Sequence, residues 1–77
     1  MSTRTAVEAV VKEACRDGGA QAVANKLLGL MSPAAAMLWL NGYDGQLGGA
    51  QPVVVLRLEG SEPVLAALRA FEEGAFA

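Results

Sequence analysis

Histidine is absent from this chain, cysteine occurs once, and charge is scarce. A lone Cys15 cannot form an internal disulfide, and without histidine no Cys/His metal site can be assembled. The usual general base is missing too, so acid–base or nucleophilic catalysis would fall to carboxylates. The adjacent pair Glu72–Glu73 does not suit that task, because neighbours on a helix point to different faces. Cys15 lies beside Arg16 but has no base within its motif, so it reads as a core thiol. Gly18–Gly19 has neither a strand before it nor Lys-Ser/Thr after it, and is no phosphate loop. No enzyme activity and no cofactor are expected.

Only 18% of the residues are charged, below the roughly 25% of an average soluble protein. Apolar residues make up 53%. Seventy-seven residues form one domain, 1–77, and a chain of this size buries only about 60% of its unfolded surface. So thin a core cannot absorb that much apolar surface, and the excess is expected at an interface, with a second copy or another protein. No secretory leader is read at the N-terminus, and a cytoplasmic location is expected. The longest uncharged run, 27–43, is short for a membrane span and is broken by Gly29, Ser32 and Pro33. Neither a membrane nor a small-molecule substrate is expected as a partner.

The net charge of −2 is unevenly spread. Residues 1–42 carry four cations against three acids, net +1; residues 43–77 carry two against five, net −3. No basic footprint of the kind that dominates DNA affinity stands out.

Helical patterning fills most of the chain. Thr5-Ala-Val-Glu8 fits a capping box, and Val7, Val10, Val11 and Ala14 form the stripe of a helix over 5–16, stopped by Asp17-Gly18-Gly19. Ala20 to Leu28 is a second helix, with Ala20, Val23, Ala24 and Leu27 buried and Gly29 as its stop. Ser32-Pro33 starts a third helix, Ala34 to Leu40, which Asn41-Gly42 ends. Residues 43–51, with three glycines, form a loop. Ser61 caps the last helix, whose stripe is Val64, Leu65, Leu68 and Phe71; Gly74 ends it and Phe76 folds back on the core.

Residues 52–59, PVVVLRLE, admit two readings. Three valines favour a strand, while Pro52 suits the first position of a helix. The expected fold is therefore mainly α, a compact domain of four to five helices with a helix-turn-helix-like pair at 20–41. The alternative is α+β, pairing 36–43 with 52–59 as a hairpin.

Three stretches carry a family resemblance. Gly18-Gly19-Ala20-Gln21-Ala22-Val23-Ala24 is similar to a Gly-Gly-x-x-Ala-Leu-Ala helix start. The run from Ser32-Pro33 to Trp39-Leu40-Asn41-Gly42 is similar to a Ser-Pro…Trp-Leu-Asn-Gly recognition helix. Glu59-Gly60-Ser61 through Leu65-Ala66-Ala67-Leu68 is similar to a Thr-Gly-Asp…Ile-Leu-x-Ala-Leu segment. In this order they resemble small phage regulators of the CII-like and YdaS (Cro-like) helix-turn-helix type. The resemblance implies a DNA-binding transcription regulator, dimeric, with Gln21, Asn25, Lys26, Ser32 and Asn41 facing phosphates or bases. It also implies a helix over 52–59.

Two features of the residues depart from that family. The turn Leu28-Gly29-Leu30-Met31 is longer than the family's, and helix 3 carries polar side chains only at its ends. Base edges are read by Arg, Asn, Gln or Ser. A helix of Ala, Met, Leu and Trp suits an apolar partner instead. The alternative function is thus a protein-binding module, or a phage inhibitor of a host protein, with Met37, Leu38, Trp39, Tyr43 and the 43–51 loop at the interface and no DNA contact. Trp39 and Tyr43 lack the interleaved Arg or Lys of a single-strand stacking platform.

Overall fold

A computed structural model describes residues 2–74. The first helix, α1, spans Thr3–Ala14. It starts earlier than the Thr5–Glu8 pattern suggests, because Ser2 is the cap: its Oγ accepts from the Thr5 N–H at 3.2 Å. Thr5 is instead inside the first turn, its hydroxyl 2.9 Å from that of Ser2. The helix also ends short of Arg16. The Arg16 N–H leaves the helical ladder and donates to the Leu56 carbonyl at 3.1 Å, so a tertiary bond replaces a local one.

Helix α2 spans Ala20–Leu30 and runs through Gly29, which does not stop it. A glycine inside a helix costs about 1 kcal/mol relative to alanine. Continuing the helix lets Leu30 and Met31 pack against the core, a gain of the same order or larger. The extra residues that seemed to lengthen the turn therefore extend α2. Only Met31 and Ser32 separate it from α3, Pro33–Asn41, and the two helices are bent by 119° at that break. Ser32 caps α3 as its sequence predicts, accepting from the Ala35 N–H at 3.2 Å.

Residues 52–59 resolve in favour of helix. Helix α4 spans Pro52–Leu58, and Pro52, Val55 and Leu56 are its buried residues. That spacing, i, i+3 and i+4, is one helical face; a strand would have buried alternate positions. The hairpin alternative fails at both ends, since 36–41 is helical as well. Among the described residues the only β pairing is a single bridge between Asp44 and Ala50.

Helix α5 spans Ser61–Glu72. Ser61 is its first residue and not its cap. Gly60, at φ +94°, occupies the cap position and offers no side chain, and the carboxylate of Asp17 supplies what the cap lacks. Gly74, at φ +74°, follows the helix end as predicted. Phe76 lies outside the described residues.

The five helices enclose one core. Helix α1 packs on α2, α3 and α4, while α5 closes the other side against α2 and α4. Val7, Val11, Val23, Leu27, Leu40, Leu56, Val64 and Leu68 are fully buried. Cys15 is half-buried at the edge of this core, and its thiol donates to Asp17 Oδ1 at 3.2 Å. Partial burial pushes that thiol up, and the neighbouring carboxylate acts in the same direction. No single helix among the described residues is long and apolar enough to cross a membrane.

Candidate protein-binding face

Nine residues of α3 serve two surfaces. Ala36 and Leu40 point into the core, one helical turn apart. Leu38 stands out from the opposite side with 77% of its surface exposed, and Ala34 is exposed one turn before it. Met37 is half-buried. Tyr43, just past the helix, is 81% exposed. Leu38 and Tyr43 thus bracket Trp39 in sequence, and no side chain of α3 is charged.

Trp39 is half-buried and anchored. Its Nε1–H donates to Asp44 Oδ2 at 2.8 Å. The other carboxylate oxygen accepts from the Gln46 N–H at 2.7 Å and caps a 3-10 turn over Gly45–Leu47. The backbone of Asp44 is also engaged: its N–H donates to Ala50 O at 3.1 Å, and its carbonyl accepts from Gly49 at 2.9 Å. Gly48 and Gly49 both lie at positive φ, which lets the chain double back so tightly. The patternless loop of the sequence is thus a closed turn, built on Asp44 and tied to Trp39.

This turn meets α5 to form an open groove of about 300 Å³, lined by Trp39, Tyr43, Asp44, Gly45, Gln46, Ala67 and Phe71. Ala67 and Phe71 of α5 are not evident in the sequence as site residues, whereas Asp44, Gly45 and Gln46 fall in the 43–51 loop expected at the alternative interface. Phe71 sits on the apolar stripe of α5 and so reads as core, yet it is 37% exposed where the helix passes the turn. Asp44 reads as an isolated loop charge. A larger concavity of about 460 Å³ lies between α1 and α2, over Ala9, Ala20 and Ala24 with Glu8 and Lys12 among its lining.

Of the residues expected to touch DNA, Gln21, Asn25 and Lys26 share α2 while Ser32 and Asn41 lie at the two ends of α3, and each makes a hydrogen bond or ion pair within the chain. Gln21 Nε2 donates to Asn25 Oδ1 at 2.9 Å. Lys26 forms an ion pair with Glu72 of α5. Ser32 caps α3, and Asn41 Nδ2 donates back to the Met37 carbonyl at 2.9 Å. At 1.5 Å rise per residue, Ser32 and Asn41 stand about 13 Å apart at opposite ends of the helix. By contrast, Trp39 and Tyr43 are brought together on one groove, with Leu38 beside them in sequence.

Among the described residues, no group of three or more His, Cys, Asp or Glu side chains is placed to hold a metal ion. Comparison with family models, with curated proteins and with solved structures finds no match.

Proposed function

We propose that this chain is a protein-binding module that docks through the uncharged outer face of α3 and the adjoining Tyr43. One observation carries the reading: Leu38 and Tyr43, which precede and follow the hydrogen-bonded Trp39 in sequence, are 77% and 81% exposed. Aromatic side chains on a hydrogen-bonded scaffold match the composition of interface hot spots, in which Trp and Tyr are enriched, and the exposed Leu38 adds apolar area beside them in sequence. A thin core in a chain with few charges adds to it, since a covering partner removes apolar surface that the fold leaves wet. The partner is a second copy or a different protein. Acrylamide quenching of Trp39, read alongside sedimentation velocity, tests this. Quenching is expected to drop in the associated state. A Trp39 equally accessible in every state of association would contradict the reading.

A second reading is supported by one feature. The 119° bend between α2 and α3 falls within the range of about 90–120° typical of helix-turn-helix pairs, although its two-residue turn is shorter than the usual three to four. That geometry supports a small phage-type transcription regulator, with Gln21, Asn25, Lys26, Ser32 and Asn41 toward DNA. It predicts a gel shift at low salt that weakens steeply as salt rises. Absence of any shift at low salt removes it.

A further inference from the structure

We propose that Asn41 is a site of spontaneous deamidation, gated by the hydrogen bonds that close the C-terminus of α3. Asn41 is the last residue of that helix and exposed to water, and Gly42 follows it. An asparagine side-chain amide is attacked by the backbone nitrogen of the next residue, and a side chain on that residue crowds the attack. Glycine has none. The chain holds one other asparagine, Asn25, which precedes Lys26 and lies inside α2. Asp17-Gly18 and Asp44-Gly45 share the glycine, but they present carboxylates, which at neutral pH are poor electrophiles. Only at Asn41 are a side-chain amide and an uncrowded nitrogen neighbours in sequence.

In the reaction the Gly42 nitrogen gives its proton to solvent base and bonds to Asn41 Cγ. The Cγ–Nδ2 bond breaks, and the amide nitrogen leaves as ammonia with a proton from solvent. Water then opens the cyclic imide at either carbonyl, leaving aspartate or isoaspartate. Nothing is oxidised or reduced, and water is the only co-reactant. The folded helix end holds the reacting atoms apart. Asn41 Nδ2 donates to the Met37 carbonyl at 2.9 Å, which turns the amide back along the helix. The Gly42 N–H donates to the Trp39 carbonyl at 3.2 Å. Gln51 Nε2 donates to the Asn41 carbonyl at 2.9 Å and fixes the joint from the side of α4. Reaction therefore requires this end to open, and these bonds are what opening breaks. The product gives α3, whose side chains are all uncharged, a carboxylate at its C-terminus, where the helix dipole disfavours negative charge. It also removes the bond to Met37.

The test is peptide mapping by mass spectrometry of the full chain, incubated at mildly alkaline pH in buffer and in enough urea to unfold it. Aspartate and isoaspartate are expected at Asn41 in the folded chain, with Asn25 unchanged, at a rate about ten- to a hundred-fold below that in urea. Gln51→Ala removes one bond of the gate and leaves the start of α4 alone, since the Gln51 side chain makes no capping bond. It is expected to raise the Asn41 rate in buffer by about three- to ten-fold. Ser61→Ala deletes a single bond away from α3, the one from its hydroxyl to Asp17, and is expected to leave that rate unchanged. Circular dichroism verifies the fold of both variants, and the comparison with urea stands without them. Conversion confined to urea overturns the proposal, as do equal rates in buffer and urea. An unchanged rate in Gln51→Ala also overturns it, and so does an equal acceleration in Ser61→Ala, which would assign the reaction to global unfolding. These rates do not depend on what α3 binds, so failure here leaves the interface reading standing.

Discussion

Asp17 and Ser61, separated by 44 positions in sequence, are joined by two hydrogen bonds. Asp17 Oδ2 accepts from the Ser61 backbone N–H at 3.0 Å and from its hydroxyl at 3.2 Å. The other oxygen accepts from the Gly19 N–H at 2.9 Å, at the start of α2. One carboxylate thus serves the first turns of two helices and ties the α1–α2 corner to the α4–α5 corner.

The first prediction concerns acid. The Ser61 and Gly19 backbone bonds, in that order, hold the Asp17 carboxyl far below its ordinary value of 3.8. A group depressed in the folded state adds stability that is complete above its unfolded value and fades as the pH falls toward the folded one. Wild-type stability is therefore expected to decline as the pH drops below about 4. Asp17→Asn, which cannot accept on both sides, should be less stable at neutral pH and lose less on acidification. Chemical denaturation of both proteins between neutral and acid pH checks this. Parallel curves would contradict it.

The two glycines beside this carboxylate should not tolerate a methyl group. A Cβ at Gly60 would lie 2.4 Å from Asp17 Oδ2, on a backbone already at φ +94°. One at Gly19 would lie 2.1 Å from Ser61 Oγ. Gly60→Ala is expected to cost about 1–3 kcal/mol through backbone strain alone, and Gly19→Ala to destabilise by displacing Ser61. Gly29→Ala meets nothing within 4 Å and lies inside α2, so it should stabilise by up to about 1 kcal/mol. Thermal melts of the three variants give the sign of each.

Trp39→Phe keeps an aromatic ring, though a smaller one, and deletes the Nε1–H that holds Asp44. A loss of about 1 kcal/mol is expected. Faster amide hydrogen exchange should appear at Gln46, Gly49 and Ala50, whose N–H groups bond within this turn. Unchanged exchange there would show that the backbone bonds suffice without the indole.

What the sequence made legible was local. Ser32 and Pro33 start α3 through contacts three residues apart, and the apolar stripes of α1, α2 and α5 recur at a spacing visible in one dimension. What it hid was long-range. Ser61 looked like a cap because caps are normally sequential; here the acceptor comes from Asp17, across the fold. Gly29 looked like a stop because its cost is local while the reward, packing of Leu30 and Met31, is tertiary. Residues 52–59 carried a helical burial pattern behind a strand-like composition. The aromatic groove was half visible. Trp39 and Tyr43 stood out as uncharged aromatics next to a turn. Phe71 was disguised by its place on a core stripe, and no local pattern links it to Asp44.

The claim that the outer face of α3 is a protein interface is tested most directly by native mass spectrometry of the full chain recovered from its own host cells, as wild type and as Leu38→Glu with Tyr43→Ser. Both positions are exposed, so the double variant should keep its fold, which circular dichroism verifies. The account predicts a stoichiometric protein companion, a second copy or another chain, that stays with the wild type and leaves the variant. A wild type recovered alone or with nucleic acid only, or a variant that keeps its companion, would contradict it.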